Sequence, residues 1–325
     1  MFPAVMKHAA AHLSVLVAFC LLASAAPAGA GNYSIPPADA ERRFAQEPFE
    51  ILEAKRTASG VAGAQRWKIR FADGLVVKVK WKAAPRYTTD TWNNSPRREI
   101  AAYEVQKLFL DPEDYIVPPS EVRCIPLAQY RKIDSNAKPT LARTQCVFGV
   151  LSLWLQDVEE PSKIWHPDLF DQGGYYRFSI ASVDVLTFLI GHQDGRPANF
   201  LWSTDARRHV FSIDNGVSLH AFPFNPLVRN WNSIRVPALP RKVMERLDRT
   251  SVERIASLGI LRHLEPDANG VLRPAKPAGN IGPGEGTRVQ GTTLQLGLRD
   301  SEVVEVRERI NDLLKRTASG RLPLF

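Results

Sequence analysis

The chain has 325 residues, 44% of them hydrophobic and 23% charged, which is enough apolar material for one large or two ordinary cores and excludes an intrinsically disordered protein. Lys and Arg number 42 against 34 Asp and Glu, and the net charge of +8 favours anionic partners. The basic residues are scattered, with no long Lys/Arg block and no helix-turn-helix or finger spacing. That distribution argues against nucleic acid and leaves phosphate-bearing small ligands.

Residues 1 to 30 read as a secretory signal peptide: Lys7 is their one charge, an apolar run extends from Leu13 to Leu22, and Ala28-Gly29-Ala30 has the small-x-small form of a cleavage site. The run is shorter than the roughly 20 residues that span a bilayer, so no stable membrane span is expected after cleavage. Cys20 lies inside this run. The mature chain is expected to be exported, to a periplasm or the medium, where Cys124 and Cys146 form an even pair and predict a disulfide. Two cysteines without a Cys-x-x-Cys pair or a histidine cluster do not predict zinc.

Residues 31 to 46 show no clear period and read as an N-terminal arm. From Phe49, FEILEAKRT and QRWKIRFADG read as two strands joined by ASGVAGA, Ala58 to Ala64, where Gly60 and Gly63 would let the backbone bend close to a ligand. The Asp73-Gly74 turn leads to a third strand, LVVKVKWK, alternating apolar and basic side chains. Pro96 starts a helix over RREIAAYEVQKLFL, and prolines 112, 118 and 119 end it. VFGVLSLWLQD, Val147 to Asp157, is the clearest strand of the region that follows.

After Pro161 the pattern turns helical. YRFSIASVDVLTFLIG is long and apolar, RKVMERL and TSVERIASL are amphipathic, and Thr250-x-x-Glu253 has the form of a capping box. Residues 265 to 292 read as a long loop. A last helix, capped by Asp300 or Ser301, carries Val303, Val306, Ile310 and Leu313 on one side and ends before Gly320. The division is thus a signal peptide at 1–30, an arm at 31–46, a strand-rich unit at 47–157 and a helical unit at 158–325.

The chemistry concentrates in HQDGRPANFLW, His192 to Trp202, and IDNG, Ile213 to Gly216. Phosphoryl transfer needs a base for the attacking hydroxyl, a divalent metal bridging the phosphates and cations to offset their charge. His192-x-Asp194-x-x-x-x-Asn199 has the spacing of a kinase catalytic loop, with Asp194 as base and Asn199 as an uncharged metal ligand. Asp214 in the next turn would take the metal that bridges the phosphates, Arg196 would reach the transferring group, and Pro197 would stiffen the loop. His192 is expected to buttress the loop, and His166, His209 and His220 to be ordinary surface or boundary residues. Trp154, Trp202 and Trp231 are expected in the core.

HQDGRPAN resembles the catalytic loop of the protein kinase-like superfamily. With IDNG in place of Asp-Phe-Gly, FLIGHQD before the loop and REIAAYEV after the basic strand, the chain looks most like the secretory-pathway kinases of the Golgi casein kinase and four-jointed type and their bacterial relatives. The resemblance runs from about Phe49 to Leu219. It implies an α+β, two-lobed kinase-like fold with a strand-rich N-lobe and a helical C-lobe, and it implies ATP with magnesium or manganese. It also implies a third-strand lysine, Lys78 or Lys80 with Lys78 favoured, paired with Glu99, and a lobe-joining strand whose backbone near Leu155 and Gln156 holds adenine. The implied activity is transfer of the γ-phosphate to a hydroxyl of a protein or sugar. ASGVAGA lacks the Gly-x-Gly-x-x-Gly pattern and no Ala-Pro-Glu follows IDNG, departures from the peptide-substrate handling of ordinary protein kinases. A catalytically silent binding module, in a periplasm expected to hold little ATP, and transfer of AMP from the same site are the alternatives.

Overall fold

The computed structural model describes residues 31–57, 63–87, 90–92, 94–221 and 233–325. The signal-peptide segment, Gly60 and Trp231 lie outside them. Residues 31–46, expected to be an arm, contain helix α1 (Pro37–Gln46), which buries Pro37, Ala40 and Phe44 along one side. Its three apolar anchors are too few to stand out as a period in the sequence. Arg123 donates to the carbonyls of Phe44 and Glu47, satisfying the end of the helix from another part of the chain.

Strands β1 (Phe49–Arg56), β2 (Gln65–Phe71) and β3 (Val76–Ala83) form an antiparallel meander, as the alternation predicted. Trp67 and Trp81, fully buried from β2 and β3, stack with ring centroids 4.7 Å apart beneath it. Helix α2 (Pro96–Gln106) follows with Pro96 at its start. Then come β4 (Ser120–Pro126), the short helix α3 (Leu127–Tyr130) and β5 (Cys146–Leu153), which complete a five-stranded sheet of order β1-β2-β3-β5-β4. The expected disulfide joins Cys124 on β4 to Cys146 on β5, with Cα atoms 5.4 Å apart across a sequence separation of 22.

Beyond this sheet lie the two-residue strand β6 (Val158–Glu159), helix α4 (Pro167–Asp171) and the long helix α5 (Gly174–Leu189). Strands β7 (Phe200–Ser203) and β8 (Val210–Ser212) pair antiparallel and, with β6, form a small three-stranded sheet. The His192–Asn199 loop runs into β7 and the Ile213–Gly216 turn leaves β8. This hairpin therefore brings two distant sequence motifs side by side.

Helices α6 (Arg241–Asp248) and α7 (Val252–Ala256) follow; Ser251, one residue later than expected, caps α7 by accepting from the Arg254 N–H. The stretch expected to be a long loop, 265–292, holds the end of β9 (Arg262–Pro266), β10 (Leu272–Pro274) and β11 (Thr287–Gln290), which with β12 (Thr293–Leu296) form a further antiparallel sheet in the order β10-β9-β12-β11, the rest of the stretch being turns and loop. Its strands run three to five residues between Gly- and Pro-rich turns, too short for alternation to be read. Helix α8 (Asp300–Ala318) closes the chain, burying Val306, Ile310 and Leu313; its N-cap is Arg299, whose N–H donates to Glu302. Among the described residues no helix is long and apolar enough to cross a membrane.

Candidate active site

Three lysines alternate along β3. Lys78 and Lys80 line a cleft of ≈ 710 Å³, while Lys82, one step further, is buried with 5% of its side chain exposed. Lys82, and not the favoured Lys78, meets the glutamate of α2: its Nζ lies 3.3 Å from Glu99 Oε1 and 2.8 Å from Asp214 Oδ1. Lys80 Nζ approaches the same Asp214 oxygen at 3.4 Å. The period of two puts all three on one face, and only depth along the strand separates them. Lys82 is the one level with α2.

Glu99 also accepts from the main-chain N–H of Asn215 at 3.0 Å, so a single carboxylate ties the β3 lysine to the turn after β8. Asp214 sits at φ 58°, in the left-handed region that Asp tolerates better than most residues. It keeps 39% of its side chain open to the cleft. Burial alone would push its carboxyl up, but Lys80 and Lys82 reverse this and hold it well below the usual carboxylate range. Burial likewise opposes the charge on Lys82, and Glu99 with Asp214 overcomes it to hold the ammonium above the ordinary lysine value.

In the preceding loop, Asn199 Nδ2 donates to the Asp194 carbonyl at 2.8 Å, and the Ile213 N–H donates to the Asn199 carbonyl at 2.9 Å. These two bonds connect Asp194, Asn199 and Asp214 in one continuous arrangement. Arg196 grips both oxygens of Asp194, with Nε and Nη2 each at 2.7 Å. Its predicted reach toward a transferring group is therefore spent, in this structure, on the adjacent carboxylate. His192 is fully buried, accepts a long 3.4 Å contact from the Asp194 N–H, and is driven down to about 4 by burial, which keeps it neutral. Enclosed by the protein, its ring sits against the backbone of its own loop.

The cleft is walled by Val117, Leu153, Leu155, Leu201 and Ile213, with Glu99, Asp214 and Asn215 at its charged end; Asp194, Asn199 and Lys82 lie outside that lining. Leu155 and Gln156 both border it, and Gln156 has both main-chain groups engaged by Asn32. Its N–H donates to the Asn32 carbonyl at 2.9 Å and its carbonyl accepts from Asn32 Nδ2 at 2.8 Å. The segment before α1 thus fastens this connection through Asn32. Gly63 is exposed at φ 71° with open space around it, while Gly60 is among the residues not described.

Other expectations change with burial. His209, expected near the surface, is buried against Phe211, and burial holds it down at about 3. His166 and His220 remain partly or fully exposed, His220 paired with Glu305. Trp154 lines the cleft instead of the core, and Trp202 lies part-buried beside His166. Among the described residues no group of three or more His, Cys, Asp or Glu side chains is placed to hold a metal. The available donors are the oxygens of Asp214 and Asn199, a set that suits a hard cation such as Mg²⁺, which keeps waters and takes few protein ligands.

A five-stranded antiparallel sheet with a buried Lys–Glu pair, joined past a cleft to a mixed unit that carries the His192–Asn199 loop and the Ile213–Gly216 turn, has the architecture of a two-lobed protein kinase-like fold. The fold is similar to the solved structure of hydra Fam20 with sugar, at 14% identity and a TM-score of 0.51 over 88% of this chain and 90% of that one. A MAP kinase from Leishmania major aligns at 13% identity and a TM-score of 0.29 over 66% of this chain and 63% of that one. No protein-family model and no curated protein matches the sequence.

Proposed function

We propose that the chain is an exported, ATP- and divalent-metal-dependent phosphotransferase that moves the γ-phosphate to a hydroxyl of a protein or sugar. The observation that carries this reading is the buried Lys82 held between Glu99 and Asp214, two carboxylates that line the charged end of the cleft. Desolvating a buried lysine is costly unless it is paired this well, and here both of its carboxylate partners also border the cleft. Compatible with export are the disulfide and the leader-like pattern of residues 1–30.

In this reading Leu155 offers main-chain groups to the base, Lys82 meets the α- and β-phosphates, and Lys80 adds a second positive charge beside Asp214. Asp214 and Asn199 would hold magnesium or manganese, which when bound offsets the charge of the phosphates. The acceptor hydroxyl oxygen bonds to the γ-phosphorus as the bond to the β–γ bridging oxygen breaks, and its proton passes to Asp194. Arg196 must leave Asp194 for that proton to arrive, and the γ-phosphate is an anion able to draw it away.

Residues 31–325, incubated with ATP and Mg²⁺ or Mn²⁺ and a panel of secreted proteins and glycans, are expected to yield products heavier by one phosphate, and Asp214→Ala is expected to abolish the transfer. Equal transfer by both proteins would refute the assignment. A mass increment of AMP would move the reaction to nucleotidyl transfer, and no nucleotide binding with any metal would make the fold a binding module.

A further inference from the structure

Helix α2 is fastened along its whole length to parts of the chain outside the five-stranded sheet. At its first turn, Arg97 is completely buried and donates to both oxygens of Glu302, at 2.7 and 3.0 Å, while its Nε reaches Asp90 at 2.9 Å. Glu302, 4% exposed, belongs to α8, 205 positions away in sequence. Further along, Glu104 accepts from Arg262 of β9 at 2.8 Å, and Arg262 also grips Glu121 on β4. The last residue, Gln106, accepts from the N–H groups of Ile116 and Val117 and donates to the Val117 carbonyl. Gly286 closes over the Arg97 guanidinium so tightly that a Cβ there would stand 2.4 Å from Nε.

Glu99 lies two residues from Arg97 on this helix, and its two oxygens hold Lys82 and the Asn215 N–H. In protein kinases the lysine–glutamate pair must be in place for transfer, and its assembly is commonly controlled by the position of this helix. We infer that Glu302, with Arg97, is a positioning residue: the C-terminal helix α8 is a built-in clamp that fixes α2 and so keeps the Lys82–Glu99–Asn215 junction assembled without an external signal. The purpose of the clamp rests on the phosphotransferase reading; its existence does not.

The two are separated by measuring amide hydrogen exchange on nucleotide-free residues 31–325. The double variant Arg97→Met with Glu302→Leu replaces the ion pair by apolar side chains, an exchange of a kind that often preserves stability. It is expected to speed exchange of the α2 amides and of Asn215 by about tenfold or more while the β4–β5 amides keep their wild-type rates. Glu302→Gln, which keeps one acceptor oxygen but turns an NH2 donor toward the Arg97 guanidinium and removes the opposing charge, is expected to speed exchange at the same amides. If the double variant does not fold cooperatively, Gly286→Ala, crowding Arg97 with the ion pair intact, is expected to give the same local loss. Wild-type protection of Asn215 in the folded double variant, or in Gly286→Ala when that variant stands in for it, overturns the clamp. Failure of wild-type protein to bind any nucleotide, with exchange behaving as stated, would remove the phosphotransferase reading and leave the clamp standing. With turnover present, the clamp variants should lower kcat more than they raise KM for the nucleotide, because the cleft walls are untouched.

Discussion

Lys82 shows how far residue types alone reach. The proximity of Asp194, Asn199 and Asp214 was legible because it depends on local spacing, and the β7–β8 hairpin joins them through the Ile213–Asn199 main-chain bond. The lysine was not, because three candidates share one face of β3 and the choice depends on where α2 lies against the strand. The structure makes the three experimentally distinct. Lys82→Met is expected to reduce phosphate transfer about a hundredfold or more, the order of loss when a fixed charge aimed at a transition state is removed. Lys78→Ala, on an exposed position, should change it by no more than about fivefold, the worth of a solvated charge. Steady-state rates at saturating metal-nucleotide decide the matter; equal losses from the two substitutions would return the role to the strand as a whole.

At the level of elements, strong periodicity was read correctly and short elements were not. The β1–β2–β3 meander, α2, β5 and α8 each carry a sustained pattern, whereas α1 rests on three buried side chains and β9 to β12 are short strands separated by Gly and Pro. Their stability comes from partners far away, such as Arg123 at the end of α1 and the buried Arg288 reaching the carbonyls of Gly259 and Leu298. The disulfide belongs to the same scale, since it crosses between two hydrogen-bonded strands and closes the α3-containing excursion between them. Cys124→Ala with Cys146→Ala is expected to lower stability by about 2–4 kcal/mol, a fall in Tm of roughly 5–15 °C. Calorimetry of oxidised, reduced and double-variant protein tests this, with reduced protein matching the variant; a variant as stable as the oxidised form would show that the paired strands need no crosslink.

For the whole molecule, the cleft, the Asn32 contacts and the α8 clamp converge on one expectation about how ligand energy is distributed. The Asn32 contacts and the Arg97–Glu302 pair fix both sides of the cleft before anything binds, so nucleotide should add stability without a large rearrangement. At a hundred times its dissociation constant a ligand adds about 2.7 kcal/mol, which for a chain of this size raises Tm by roughly 5–10 °C. The metal-dependent share of that rise must pass through Asp214. Its carboxylate is kept ionised by Lys80 and Lys82, and removing it takes a negative charge from beside the expected phosphate position while Lys82 stays paired with Glu99. Asp214→Ala should therefore still be stabilised by ATP in EDTA, at least as strongly as wild type, yet show no further gain when Mg²⁺ or Mn²⁺ is added. Wild type should gain with each metal. A scan of Tm against nucleotide, with and without metal, resolves these terms, and a metal increment that survives in Asp214→Ala would place the cation elsewhere in the cleft.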